Sequence, residues 1–268
     1  MPDPIQPPET QHPEMTLSLL ASGSRGNALF VTDGATRILV DAGLSGKAVE
    51  QRMEMREIAP SSIDAIVVSH EHHDHIQGVG VLSRRFQLPV YISHTTHVEA
   101  AAKLGRLHKT VIFTCGETFQ VNGLKLHPFP VSHDAVDPAG FTIEANGYKV
   151  GIATDLGVVT HMVRHHLKGC AVLILEANHD PVMLMEGPYP WPLKQRIKGR
   201  TGHLSNDETC RLIEELAHGK LQHVVLAHLS ETNNSHEKAV EEIQMVAKRL
   251  GIQLTVATQD QGSRLIRL

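Results

Sequence analysis

The apolar run Asp64-Ala65-Ile66-Val67-Val68-Ser69 breaks directly into His70-Glu71-His72-His73-Asp74-His75. A β-branched run of this kind fits a buried strand, and Ile76–Phe86 reads as a helix. The polar cluster therefore sits where a strand ends and a helix opens, the edge at which α/β sheets place ligand chemistry. His70, His72, Asp74 and His75 are four hard or borderline donors within six positions. Imidazole with carboxylate and no thiolate suits Zn, Fe, Mn or Co. One turn cannot wrap four such groups around a single ion, but it can divide them between two adjacent ions. A solvated His-rich loop is the alternative, and it gives no reason for polar residues straight after so apolar a strand. Histidine is also abundant overall, 19 in 268 residues, which points to metal or acid–base chemistry.

A site for two ions needs donors from elsewhere. His133 follows Phe129-Pro130-Val131-Ser132, Asp155 follows Val150-Gly151-Ile152-Ala153-Thr154, and His228 follows Val224-Val225-Leu226-Ala227. Each alone reads as a satisfied core or surface polar group. Together, each at the end of an expected strand, they supply the missing donors, and a carboxylate such as Asp155 can bridge two ions.

The rest of the chain bounds the setting. With 41% apolar and 20% charged residues it has an ordinary globular composition. Residues 1–14 carry five prolines and read as a disordered tail; 15–268 read as one domain. No apolar run approaches the roughly 18–20 residues of a membrane-spanning helix, and the N-terminus lacks the basic and apolar regions of a signal peptide. Cys115, Cys170 and Cys210 are far apart and odd in number, which excludes a disulfide framework and suits a reducing cytoplasm. The net charge of −4 means that any nucleic-acid contact must use a local basic patch. Strands and helices alternate, β-rich then α/β, and the second half repeats that order. Asn146-Gly147 is a hairpin signal. Ser205 with Glu208 reads as a capping box and Asn234 with Glu237 as a second helix start, whereas 180–203 reads as irregular. Two packed sheets with helices outside satisfy this pattern.

The motif His70-Glu71-His72-His73-Asp74-His75, followed in order by His133, Asp155 and His228, resembles the H-x-H-x-D-H signature and later metal motifs of the metallo-β-lactamase superfamily. Further segments are similar to its bacterial YycJ/WalJ group: Ser22-Gly23-Ser24-Arg25-Gly26-Asn27, Asp41-Ala42-Gly43-Leu44-Ser45, Thr154-Asp155-Leu156-Gly157, Leu175-Glu176-Ala177-Asn178-His179-Asp180, Gly202-His203-Leu204-Ser205-Asn206 and Ala227-His228-Leu229-Ser230. That group is similar to PhnP-type phosphodiesterases and, more distantly, to RNase Z. The resemblance implies an αββα four-layer sandwich in the α/β (α+β) class, with two divalent ions, Zn or Mn or alternatively Fe. It implies His70, His72 and His133 on one ion, Asp74, His75 and His228 on the other, and Asp155 between them. His73 falls at a variable position. The set departs from lactamases with a Cys ligand, and Asp74 stands where flavodiiron proteins carry glutamate, which argues against redox chemistry.

The expected activity is that of a metal-dependent hydrolase, a phosphodiesterase and most specifically a DNA exonuclease, in which a metal-bridging hydroxide attacks phosphorus. Asp74 would orient the hydroxide and His203 would protonate the leaving group, although His203 could also merely precede a capped helix. Ser24 and Asn27, in a Gly-punctuated turn, could cradle an anion or form a plain hairpin turn. Glu176 and His179 follow a buried strand and are substrate-contact or supporting candidates. Lys194 and Arg196 lie in the one strongly basic window, beside Tyr189 and Trp191, and could hold phosphates; a solvated loop is the alternative. The chain has no room for a β-CASP insertion and no extended RNase Z-type arm. A small cyclic phosphodiester is the next reading, then an acyl or thioester substrate of the glyoxalase II or lactonase class. A purely structural metal site is disfavoured by seven candidate ligands, since structural zinc sites close with four.

Overall fold

The computed structural model describes residues 14–268, so the expected tail at 1–14 lies, except for Glu14, outside the described residues. In chain order the elements are β1 (Thr16–Ala21), β2 (Ala28–Thr32), β3 (Arg37–Val40), α1 (Gly46–Glu54), β4 (Ala65–Val67), α2 (His73–Ile76), α3 (Val79–Phe86), β5 (Pro89–Ser93), α4 (His94–Leu104), β6 (Lys109–Phe113), β7 (Phe119–Val121) and β8 (Leu124–Pro130). They continue with β9 (Ala139–Ala145), β10 (Tyr148–Ala153), α5 (His161–Leu167), β11 (Val172–Glu176), α6 (Pro181–Glu186), α7 (Trp191–Lys198), α8 (Asn206–Leu216), β12 (His223–Ala227), α9 (His236–Leu250), β13 (Gln253–Val256) and β14 (Ile266–Arg267).

Two seven-stranded sheets result, ordered β14-β1-β2-β3-β4-β5-β6 and β13-β12-β11-β10-β9-β8-β7. Each begins antiparallel and turns parallel, at β3–β4 in the first sheet and at β10–β11 in the second. The expected repeat of order is thus one sheet per half, with β14 returning to pair with β1. The β9–β10 hairpin turns on Asn146-Gly147, both at positive φ (53° and 81°), as a two-residue type I′ loop demands.

Strand alternation builds the layers. Ile38, Val40 and Val67 face the second sheet and meet Phe141, Ile143, Val172, Ile174 and Val225 in the central core. Their neighbours Leu39 and Ile66 face outward to Val49 and Met53 of α1, Leu82 of α3 and Leu104 of α4. On the other side Leu173, Leu175, Val224 and Leu226 meet Leu167 of α5, Leu212 and Ile213 of α8 and Ile243 of α9. Helix layer, sheet, sheet, helix layer is the αββα arrangement. No helix among the described residues is long and apolar enough to cross a membrane.

Three local expectations change. The stretch 180–203 holds two helices, α6, capped by the Asp180 side chain on Met183 N–H, and α7. α7 contributes no fully buried residue to the core, and its short apolar stripe, Leu193 and Ile197, lies in a Pro- and Gly-rich stretch that reads as loop. The helix expected over Ile76–Phe86 is split, with α2 ending at Ile76 and α3 starting at Val79. The last long helix is capped by Ser235, whose side chain accepts from Lys238 N–H; Asn234 instead pairs with Asn206 and donates to Ala177 O.

Candidate metal and catalytic site

The strands β3, β4, β8, β10, β11 and β12 all deliver a polar residue at or just past their last apolar position, and these residues meet. His70 Nε2 lies 3.1 Å from His72 Nδ1, which lies 3.3 Å from His133 Nε2. Beside them His75 Nε2 is 3.6 Å from Asp74 Oδ2 and 3.3 Å from Asp155 Oδ2, and His228 Nε2 is 3.8 Å from Asp74 Oδ2. Asp155 Oδ1 also comes within 3.8 Å of His133 Nε2. One carboxylate therefore faces both sets. His70, His72 and His133 form one compact donor group and Asp74, His75 and His228 another. Donors about 2.0–2.1 Å from a tetrahedral ion stand about 3.3 Å from each other, so the spacings suit cation coordination. Two atoms make the same point from deficit. Asp155 Oδ2 and His228 Nε2 are buried without a hydrogen-bond partner among the described residues, a costly arrangement that cation coordination by each atom would relieve.

The backbone is bent to make this cluster. Asp155 and His228 adopt left-handed conformations (φ 57° and 54°), as does Asp41 (φ 61°), each at a cost of about 1–2 kcal/mol. Gly43 lets the loop after β3 press onto the cluster. A Cβ there would stand 1.6 Å from Asp74 O, and the close approach permits the bonds Asn27 N–H to Asp74 O (2.8 Å) and Gly43 N–H to Asn27 O (2.8 Å).

Four candidate ligands have their other ring nitrogen engaged. His75 Nδ1 lies 2.8 Å from Asp41 Oδ2, His70 Nδ1 2.9 Å from Ser69 Oγ, His133 Nδ1 3.3 Å from Gly202 O and His228 Nδ1 3.0 Å from Glu176 Oε1. Such partners fix ring orientation and tautomer at metal sites. Burial, reinforced by the neighbouring imidazoles, pushes His70 well below its ordinary pKa. Burial also lowers His133, against the pull of Asp155. For His75 burial is outweighed by Asp155, Asp41 and Asp74, which bring it to about 9. In Asp74 burial opposes ionisation, but His75 and His228 prevail and hold the carboxyl below the usual range.

His203 stands on the open side of the cluster, its ring 5.2 Å from that of His133 and 5.1 Å from that of His228. Glu176 Oε1 holds its Nδ1 at 2.6 Å, and Glu176 Oε2 accepts the Leu156 N–H at 2.8 Å. Burial works against a charge on His203, but Glu176 outweighs it and raises the imidazole pKa. A cavity of about 270 Å³ opens beside His203, lined also by Ser24, Asn178, Tyr189 and Arg196.

The remaining expected contacts divide. Ser24 and Arg196 reach this cavity, and Arg196 is tied there to Asp134, with Nε 2.6 Å from Oδ2. Glu176 is wholly buried and serves His203 and His228 rather than facing the cavity. Asn27 is turned inward, its Nδ2 3.1 Å from His75 Nε2 and 3.3 Å from Asp74 Oδ2, so it is not part of an open anion cradle. Lys194 donates to Met185 O at 2.7 Å and lies outside the cavity. His179 lines a separate hollow with Pro181, Lys198 and Arg211. The sequence reading missed Asp41, Ser69 and Asp134 as supporting groups. Asp41 carried the same signal as the others, a carboxylate closing an apolar strand.

Comparison with known proteins agrees with this geometry. Residues 36–229 match the β-lactamase superfamily domain. The chain is 37% identical over 236 residues to the exodeoxyribonuclease YycJ of Bacillus anthracis, covering 87% of this chain and 89% of that one. It is 36% identical over 226 residues to the exodeoxyribonuclease WalJ of Streptococcus pneumoniae, covering 83% and 84%. In three dimensions it is similar to the metallo-β-lactamase fold protein YhfI of Bacillus subtilis, with a TM-score of 0.74 at 20% identity over 95% of this chain and 99% of that one. A polar cluster at the ends of six strands, on an αββα frame with relatives of this kind, makes the chain a metal-dependent hydrolase of the metallo-β-lactamase superfamily.

Proposed function

We propose that the protein is a dinuclear metal-dependent phosphodiesterase that acts on DNA ends as an exonuclease. The observation that carries this reading is the position of His203, a raised-pKa imidazole braced by a buried carboxylate, on the open side of a seven-donor His/Asp cluster. The substrate class is supported by the 37% identity with an exodeoxyribonuclease along most of the chain. His70, His72 and His133 would hold one ion, Asp74, His75 and His228 the other, and Asp155 both. Two such ions, Zn, Mn or Fe, would supply a hydroxide at neutral pH and counter the charge on the phosphoryl oxygens.

The chain's own groups do the rest. Asp74 aims the attacking oxygen at phosphorus. As the new P–O bond forms and the bond to the sugar oxygen breaks, that oxygen takes a proton from His203 Nε2, since Nδ1 is the nitrogen fixed by Glu176. Residues 15–268 act as one hydrolase domain, in the cytoplasm.

The test is cleavage of 5′- and 3′-labelled linear DNA and RNA by metal-stripped protein resupplied with Mn or Zn, with Asp74→Ala beside it. The expected result is metal-dependent loss of nucleotides from DNA, abolished by Asp74→Ala. Turnover of a small phosphodiester without cleavage of either polynucleotide would replace this reading with a small-molecule phosphodiesterase. Turnover of a thioester alone would replace it with an acyl hydrolase.

A further inference from the structure

The cavity beside His203 has two unlike walls. One is polar. Asn178 is 4% exposed and spends an amide N–H on His228 O at 2.9 Å, which leaves its carbonyl Oδ1 without a hydrogen-bond partner among the described residues. The other wall is Tyr189, Leu193 and Ile197, side chains brought there by α7 and the turn before it. Tyr189, Leu193 and Ile197 are half-buried and α7 places no residue fully in the core, so part of each apolar side chain is left facing the cavity. At the rim stands Arg196, 63% exposed along its side chain, with Nε and Nη2 both 2.6 Å from Asp134 Oδ2. Asp134 directly follows the candidate ligand His133. The ion pair therefore ties α7 to the metal cluster and fixes the guanidinium plane, with Nη1 outside the pair.

We propose that this cavity is a subsite for one nucleotide unit next to the scissile phosphate, an inference that rests on the phosphodiesterase reading. Its volume of about 270 Å³ is near the lower end of small-molecule pockets, roughly 300 Å³, room for one nucleotide and not for a stacked run. The base lies against Tyr189, Leu193 and Ile197. Asn178 Oδ1 accepts a hydrogen bond from a base N–H. Arg196, aimed by Asp134, meets the neighbouring phosphate through its free N–H groups. A small aryl diester can lay a ring against Tyr189 but has no base N–H for Asn178 and no second phosphate for Arg196, so the subsite favours nucleic acid through binding beyond the reacting phosphate. Lys194 plays no part.

The test compares kcat/KM for a short DNA oligonucleotide with that for bis(p-nitrophenyl) phosphate in the metal-loaded full chain. The variants are Tyr189→Ala, Tyr189→Phe and Arg196→Ala. Both targets lie on a surface segment outside the core, and thermal melts check that the fold is kept. For Tyr189→Ala the ratio of oligonucleotide to small-diester efficiency should fall by about fivefold to a hundredfold, the range that base–aromatic stacking commands. The fall should come through the oligonucleotide KM. Tyr189→Phe should restore the ratio, and Arg196→Ala should lower it with a weaker dependence on salt. If the wild type degrades the oligonucleotide but both alanine variants leave the ratio where it was, the subsite is wrong and the nuclease reading stands. If the wild type cleaves only the small diester, the nuclease reading fails and the subsite falls with it.

Discussion

Glu176 Oε1 lies 2.6 Å from His203 Nδ1, and the carboxylate is shut off completely from solvent. Burial disfavours the imidazolium, but the nearby negative charge wins and raises the His203 pKa. A protonated His203 thus persists above the ordinary imidazole value of about 6.5, and the alkaline limb of the rate profile, where the acid is lost, lies above that pH. Glu176→Gln removes the charge and should move this limb to lower pH, measured at matched metal content. His203→Asn should cost about 10²–10⁴ in kcat on DNA but much less on a p-nitrophenyl ester, whose leaving group needs no proton. Equal losses on both substrates would show that His203 is not the acid.

Asp41 stands to His75 as Glu176 stands to His228. Its Oδ2 is 2.8 Å from His75 Nδ1 and also accepts the Ser69 hydroxyl at 2.7 Å, while its Oδ1 accepts the Ser69 N–H at 2.8 Å. Asp41→Ala frees the ring and removes a charge that supports it. Metal affinity should fall about 10–100-fold, read by competition with a chromogenic chelator. Unchanged affinity would mean that the packed ring needs no carboxylate to hold it.

What the sequence made legible follows from where its signals come from. Strand-end donors such as His133, Asp155 and His228 are conspicuous because each interrupts an apolar run, and an interrupted run is a local pattern. The two-sheet frame is equally local in origin, since Ile38-Leu39-Val40 and Val172-Leu173-Ile174 each face two cores by simple alternation. The Asp134–Arg196 pair spans 62 positions, and nothing near either residue announces the other. α7 escaped for a related reason, because Pro190, Pro192 and Gly199 around it read as loop and its short apolar stripe, Leu193 and Ile197, is only half-buried. Lys194 looked available as a bare charge, yet its ammonium is spent on Met185 O.

Away from the metal cluster, His127 of β8 and His166 of α5 stack with ring centroids 4.6 Å apart, and His166 stacks in turn on Phe129 at 5.1 Å. Burial first, then Lys149, lowers the His127 pKa; burial first, then His127 itself, lowers that of His166. A histidine depressed in the folded state binds protons more readily in the unfolded chain. Its contribution is therefore fully present above about pH 6.5 and is lost as pH falls toward the folded value. From this stack alone the melting temperature is unaffected between pH 7 and 8 and declines from 6.5 to 5.5. His166→Phe keeps the stack on Phe129 and removes one titrating group, so its decline should be shallower than that of the wild type. Parallel curves for the two proteins would rule out this stack as a source of acid sensitivity.

Gly43 links local geometry to the metal cluster. The Cβ of an alanine there would stand 1.6 Å from Asp74 O and 2.8 Å from Asn27 N, both main-chain atoms that no side-chain rotation can clear. The loop after β3 must then lift away from Asp74, which breaks the 2.8 Å bonds through Asn27 and moves a candidate ligand. Gly43→Ala should cost at least the 1–3 kcal/mol typical of overpacking, seen as a lower urea midpoint, and should weaken metal binding in the same protein. Gly219 provides the contrast, because an added Cβ meets nothing within 4 Å and its φ is not positive. Gly219→Ala should be neutral or stabilise by about 0.4–1 kcal/mol through the unfolded chain, with metal affinity untouched. If Gly43→Ala unfolded at the wild-type midpoint with full metal affinity, the close approach at Asp74 would not be what holds the cluster in shape.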